Sequence, residues 1–161
     1  MYTKILLPLD GSDLSHQAIP HAIAVATGID SELTLLQVID SVAHIISETT
    51  PATIEPIPSG ELTVEIAESA VQAQREAAQV NLAAVTAQIV AGGIDAARIT
   101  TEVVEGNASQ AIEGVVERLG CDLVIIATHG RSGIKRVLLG SVADHVARNT
   151  PGAAVLLIRP Q

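Results

Sequence analysis

The sequence is nearly without aromatic residues: its 161 positions hold one tyrosine, Tyr2, and no tryptophan or phenylalanine. Any core must therefore be built from Ile, Leu, Val and Ala. Cysteine is as scarce. A lone Cys121 excludes an internal disulfide, and no Cys/His spacing suits a metal site. Long apolar runs are missing too. Mean hydropathy is +0.41, yet no run approaches the roughly 20 residues that span a bilayer. The opening MYTKILLPLDGS has one charge and a short apolar run before a turn, which reads as a strand rather than a signal peptide. A cytoplasmic protein is expected. Positive charge is also sparse, with 9 Lys and Arg against 18 Asp and Glu. An acidic body of this kind argues against general nucleic-acid binding, which needs a broad basic face.

What is present is aliphatic: 48% of residues are hydrophobic, which excludes disorder. The length fits about one domain, taken as residues 1–161. The charge is uneven. Residues 131–161 carry Arg131, Lys135, Arg136, Arg148 and Arg159 against Asp144 alone, a local excess of four positive charges in a chain of net −9. A small basic patch on an acidic body suits a small anion, although solvated surface charge is the commoner fate of Lys and Arg.

Short β-type runs alternate with helical patterns. Strands are expected at 3–9, 32–39, 98–104, 122–127 and 153–159, the last two as near-continuous apolar runs typical of parallel strands covered on both faces. About four helices are expected. The first runs from about Leu14 to Ala26, is interrupted by Pro20 and stops at Gly28. In the second, Ala78, Leu82, Val85 and Ile89 form one face before Gly92-Gly93. The third carries Ala111, Val115 and Leu119, with Asn107 or Ser109 as start signal and Gly120 as stop, and the fourth begins near Ser141. This alternation predicts a single-domain, doubly wound, Rossmann-like α/β sandwich with a mostly parallel five-stranded sheet. Residues 41–62, with Pro51, Pro56, Pro58 and Gly60, show no clean period and are read as a variable surface loop.

Ligands of open α/β sheets bind beyond the carboxyl ends of the strands, where strand order reverses. Two stretches fit that crevice: Pro8-Leu9-Asp10-Gly11-Ser12 and the run from Ala127 onward. Gly130 permits close backbone approach, and Gly140-Ser141 opens a helix whose first N–H groups form a ready phosphate site. The competing reading is that the glycines shape a turn, and that Ser141 with Asp144 caps the helix. Conjunction favours a site, because strand end, glycines, helix start and charge reversal share twenty residues. No G-x-x-x-x-G-K-[ST], G-x-G-x-x-G or G-x-S-x-G occurs, which argues against P-loop, dinucleotide-binding and α/β-hydrolase chemistry. The five histidines make no metal set; His16 and His21 are five apart, not three or four. His129 lies inside the glycine turn, within reach of a phosphate or as a turn-stabilising group.

These segments together resemble the universal stress protein family over essentially the whole chain: KILLPLDGS, LLQVID, CDLVIIATHGRSG, LLGSVADHVARN and AAVLLIRP. The resemblance implies strand order 3-2-1-4-5 and an adenine-nucleotide site. The nucleotide-binding pattern of that family, Gly, two residues, Gly, nine residues, Gly and Ser or Thr, falls on Ala127, Gly130, Gly140 and Ser141, so alanine stands at its first glycine. By the same resemblance Pro8, Leu9, Asp10 and Val38 help hold adenosine, Val38 through its backbone, while His129, Arg131 and Val142 complete the phosphate side. The implied ligand is ATP, with Mg²⁺ or without it, and AMP or cyclic AMP are alternatives. A homodimer through strand 153–159, with no catalytic role beyond very slow ATP hydrolysis, is the implied form. A dimeric scaffold whose site decayed at Ala127 is the competing function. Charge-assisted hydrogen bonds contribute roughly 1.5–3 kcal/mol each, against an association cost of about 4–15 kcal/mol. Phosphate contacts alone are then insufficient, and a buried base is needed too.

Overall fold

Strand β1 (Lys4–Leu9) runs through the middle of the sheet in the computed structural model, which describes residues 2–49, 60–128, 140–150 and 152–159. The others are β2 (Glu32–Ile39), β3 (Ile99–Glu105), β4 (Leu123–Ala127) and β5 (Ala154–Ile158). All neighbours are parallel, in the order β3-β2-β1-β4-β5. Every predicted strand is present to within a residue or so, and the strand order is the one expected.

Alternation along the strands sorts the core into two layers, because successive side chains face opposite sides of a sheet. Ile5, Leu7, Leu33, Leu35 and Ile125 meet α2 (Ile19–Ile29) and α4 (Gly60–Ala91) on one face. Leu6, Leu36, Val124 and Ile126 meet α5 (Ala108–Leu119) and α6 (Ser141–Asn149) on the other. The predicted stripe on α4 is fully used: Ala78, Leu82, Val85 and Ile89 are all buried. On α5 the buried set is Ile112, Val115 and Val116, while Ala111 and Leu119 lie half-buried at its margin.

Several expectations are corrected. The described residues form six α-helices and a 3₁₀ turn at Ala96–Arg98, roughly consistent with the four helices expected: all four helical regions are present, the first is divided in two, and a short helix follows β2. The first predicted helix is two: α1 (Asp13–His16) and α2, with Pro20 in the first turn of the second, where its missing N–H costs nothing. It ends not at Gly28 but at Asp30 in the left-handed conformation (φ 56°). The 41–62 segment read as a loop begins with a helix, α3 (Val42–Thr49), and its last residues start α4; residues 50–59 lie outside the described set.

The central pair β1–β4 is joined unequally along its length. At the amino end, Asp122 ties the strands together: its carboxylate accepts from the Thr3 N–H (3.0 and 2.8 Å), the Thr3 hydroxyl (2.8 Å) and the Lys4 N–H (3.0 Å). Its own N–H donates to Lys4 O, and its C=O accepts from Ala154 N–H on the β5 side. Partial burial pulls the Asp122 carboxyl upward, but the Thr3 and Lys4 donors together outweigh this and hold it below its ordinary value. At the other end β1 pairs with β4 only at Ile5↔Leu123 and Leu6↔Val124, whereas it follows β2 from Lys4↔Glu32 to Leu9↔Gln37.

Pro8 accounts for the early end. Thr3 O accepts from Glu32 on the β2 side and Lys4 O accepts from Asp122 on the β4 side. Backbone groups of alternate residues point to opposite neighbours, so the position of Pro8 faces β4. Proline has no N–H to donate there. The ladder stops after Leu6, and proline's presence in a central strand, otherwise disfavoured, is explained.

Asp122→Asn keeps one acceptor but loses the charge, and is expected to cost about 1 kcal/mol at neutral pH, the low end for a partly exposed charge-assisted pair. The carboxyl is depressed in the folded state. Its contribution is therefore complete above the unfolded aspartate value of about 3.9 and fades as pH falls through the lower folded value. Chemical denaturation of both proteins from pH 7 to pH 2 checks this: the stability gap should close in acid.

Candidate functional site

The β1–β4 gap opens into a cleft of about 710 Å³, within the roughly 300–1,000 Å³ usual for small-molecule sites. It lies at the carboxyl ends of the strands, where the chain winds one way from β1 to β2 and the other way from β4 to β5, the position such sheets reserve for ligands. Pro8 and Leu9 of β1, Val38 of β2, and Ile126 and Ala127 of β4 form its floor. Ala108 and Ile112 of α5 and Gly140, Ser141, Val142 and Ala143 of α6 form one wall. Asp10, Leu14 and Ser15 close the other side, with Thr128 at the end of β4. The lining is mainly apolar with a few polar groups at the rim, as small-molecule clefts generally are.

Helix α6 supplies the site's clearest electrostatic feature. Its cap is Gly140, which makes no side-chain capping bond. Ser141 is the first helical residue, as the start expected near Ser141 has it, and the competing reading in which Ser141 with Asp144 caps the helix does not hold: Asp144 holds Arg148, with both carboxylate oxygens 3.0 Å from Nε. Uncapped N–H groups at a helix start carry the positive end of the helix dipole. Here they belong to residues that line the cleft.

Across from α6, the turn after β1 is knit by its own side chains. Asp10 Oδ1 accepts from Ser12 N–H (2.9 Å) and Ser12 Oγ (2.6 Å). Ser12 in turn caps α1 by accepting from Ser15 N–H (3.1 Å). Gly11 sits between them with φ +77°, a conformation that disfavours a side chain. Asp10 thus has the turn-stabilising role that its type predicts and lines the cleft as well.

Eight of the eleven residues marked in the sequence line this cleft: Pro8, Leu9, Asp10, Val38, Ala127, Gly140, Ser141 and Val142. The other three, His129, Gly130 and Arg131, lie outside the described residues. Ala127, which stands where the family pattern has glycine, is the last residue of β4, paired with Ile158. Its side chain packs against the core layer of α2 and α4, the face away from α5 and α6. Ser15, Ala108, Ile112 and Thr128 belong to the lining but were not marked. The Asn107 cap was visible in the sequence and places the first turn of α5, including Ala108, at the strand ends. Cys121 is buried, and burial pushes its thiol upward, as expected of an inert small side chain. Among the described residues no three His, Cys, Asp or Glu side chains are grouped to hold a metal, and no helix is long and apolar enough to cross a membrane.

A doubly wound domain with an open crevice at its switch point, and a helix start without a side-chain cap beside it, defines an open α/β sheet architecture. Within that architecture, the chain belongs to the universal stress protein family, whose model matches residues 1–159. Universal stress protein MJ0531 of Methanocaldococcus jannaschii is 30% identical over 161 residues, covering 100% of this chain and 85% of that protein. The solved structure of hypothetical protein MJ0577 superposes with a TM-score of 0.77 at 25% identity, covering 100% of this chain and 98% of the other. A universal stress protein solved in complex with cAMP shares the fold, with a TM-score of 0.64 at 22% identity over 98% of this chain and 96% of that one.

Pro8→Val restores an N–H facing β4 with little change in volume. The ladder is expected to extend by a pair and to stabilise the protein by up to about 1 kcal/mol. Hydrogen exchange of the amide introduced at position 8 should then be slow. Rapid exchange of that amide would mean that the strands part for another reason.

Proposed function

We propose that this protein binds an adenine nucleotide, ATP foremost, in the β1–β4 cleft and acts as a stress-response or signalling module rather than as an enzyme. The observation that carries the reading is the conjunction of a mainly apolar cleft with the uncapped start of α6. One part suits a base, the other a phosphate. Pro8, Leu9, Ile112 and Val142 offer apolar surface to adenine, and Asp10, an acceptor-only carboxylate, suits ribose hydroxyls. Val38 would contribute through its backbone. The amides at Gly140–Ala143 and the Ser141 hydroxyl would hold phosphate, joined by His129, Gly130 and Arg131 from the family pattern. Bound Mg²⁺ would supply charge neutralisation for a triphosphate.

Binding rather than turnover is supported by Asp10, the carboxylate in this cleft, whose Oδ1 serves the turn. A general base must be placed to take a proton from the attacking water. Cyclic AMP is the second candidate ligand, favoured by the family member solved with it. A scaffold that lost its site at Ala127 is disfavoured, because that methyl packs into the core on the far side of the sheet. We place the protein in the cytoplasm.

Calorimetric titration with ATP, ADP, AMP and cyclic AMP, each with and without Mg²⁺, tests the reading directly. Ser141→Asp separates binding from folding: a carboxylate at a helix start favours the dipole by about 0.3–1 kcal/mol but repels phosphate. The variant is expected to melt no lower than wild type and to bind ATP at least about tenfold more weakly. A wild-type protein that binds none of the four nucleotides refutes the proposal.

The same reading includes a homodimer through β5, an edge strand with Leu156 38% exposed. Edge strands offer unpaired backbone groups to a second chain. Light scattering should give a dimer mass for wild type and a monomer mass for Leu156→Lys. A monomeric wild type ends this part of the proposal.

A further inference from the structure

The turn that presents Asp10 to the cleft rests, on its other side, on a chain of partly buried amides. Asn81 Nδ2 donates to Gln37 Oε1 (2.8 Å), which leaves Asn81 Oδ1 as the acceptor for His16 Nε2 (3.1 Å). These groups come from β2, α4 and α1, three elements that converge beneath the Asp10–Ser15 turn. Contact with the turn is close: a Cβ added to Gly11 would lie 3.7 Å from Gln37 Nε2 and 3.9 Å from Asn81 Nδ2. His16 ends α1, the helix that Ser12 begins. The turn is thus held from the cleft side by the Asp10–Ser12–Ser15 bonds and from behind by the Gln37–Asn81–His16 chain.

Asn81 is otherwise out of place. It sits beside Leu82 on the face of α4 that buries Ala78, Leu82, Val85 and Ile89. Burying an amide is unfavourable unless its hydrogen bonds are met, and an apolar residue there would serve packing as well. What the amide provides is direction: a hydrogen-bonded polar chain fixes one relative placement of its elements, where apolar contact tolerates several.

We infer that Asn81 is a positioning residue for the ligand cleft, acting through Gln37 and His16 to hold the β1–α1 turn and therefore the Asp10 carboxylate. The inference rests on the adenine-nucleotide reading for its ligand, but the placement of the turn can be measured without one. α4 keeps its seat without Asn81, because Gln74 independently bridges to Asp40, accepting from its N–H (3.0 Å) and donating to its Oδ2 (3.1 Å).

The experiment is a double-mutant cycle of Asp10→Ala and Asn81→Leu, titrated with ATP, with Val85→Ala on the same helix as a control for stability. Each single variant is expected to bind about tenfold more weakly, the effect of one lost hydrogen bond. The double variant should be no weaker than either single one to within about twofold, since both act on one contact. Val85→Ala should melt lower yet bind as wild type does. In parallel, hydrogen exchange without nucleotide should be faster at Ser12 and Ser15 in Asn81→Leu than in wild type, and unchanged at Ile89. Losses that multiply to about a hundredfold, wild-type affinity in Asn81→Leu, or unaltered exchange at Ser12 and Ser15 would each overturn the inference. If wild type binds no nucleotide but exchange at the turn quickens in Asn81→Leu, the reading of the cleft's ligand fails and the positioning role stands.

Discussion

The structure depends on one strand pair being closed at one end and open at the other. β1 and β4 are bound together at the amino end by the Asp122 carboxylate and its backbone. They separate after Leu6 and Val124, where Pro8 brings no donor. A continuous ladder through Leu9 would have carried the sheet past the point where the cleft now starts. The crevice of a doubly wound fold arises from the reversal of strand order. In this chain a proline at the reversal point keeps the separated strands from pairing again.

The opening is not filled by neighbouring side chains, and residues of both core layers form its lining. Residues facing α2 and α4 pack deeply along β1 and β2, from Ile5 to Leu9 and from Leu33 to Leu35. On the α5 and α6 side the buried set is Leu6, Leu36, Val124 and Ile126, and Ile126 lies at the cleft itself. α6 then meets the sheet through Ala143 and Val146, leaving its first turn at the cleft. Because its cap is a glycine without a side-chain bond, its N–H groups are not satisfied by a side chain of the cap. A chain seeking only stability would place Ser, Thr, Asp or Asn at that position, which is typically worth about 1 kcal/mol. Forgoing that cap beside a cleft of ligand size is the feature on which the proposed nucleotide site rests.

Much of this was legible in the sequence because it rests on local rules. Strand positions followed from apolar runs, and the α4 stripe from its 4, 3, 4 spacing. The start and stop of α5 followed from Asn107 and Gly120, which both take the expected cap conformations. Eight of the marked cleft residues came together because strand ends and helix starts of such a sheet must converge. What failed was set by tertiary context. Pro20 reads as a kink in one helix, yet it can equally begin a second one once the chain breaks at Gln17 and Ala18. The 42–49 stretch has too few residues for its period to stand out, and it is helical because Val42 and Ile45 pack beside Ile39 and Val71. The start of α6 at Ser141 was legible, and the fold adds that its cap is Gly140.

Ala127 illustrates how a motif departure is judged by geometry rather than by count. A glycine in a ligand-binding pattern can be required for its backbone angles or for the space beside its α-carbon. At Ala127 the first reason does not apply, since the residue is a paired strand position and is not among the described residues with positive φ. The second depends on where the methyl group points. Strand alternation sends it with Leu123 and Ile125 into the layer beneath α2 and α4, while α6 lies over the opposite face. A methyl in that layer adds apolar contact, and Ala127 also lines the cleft. Had the register of β4 been shifted by one residue, the same substitution would have placed the methyl on the α5 and α6 side. The effect of the alanine is therefore determined by the pairing of β4 with β1 and β5, which Asp122 fixes at the far end of the sheet.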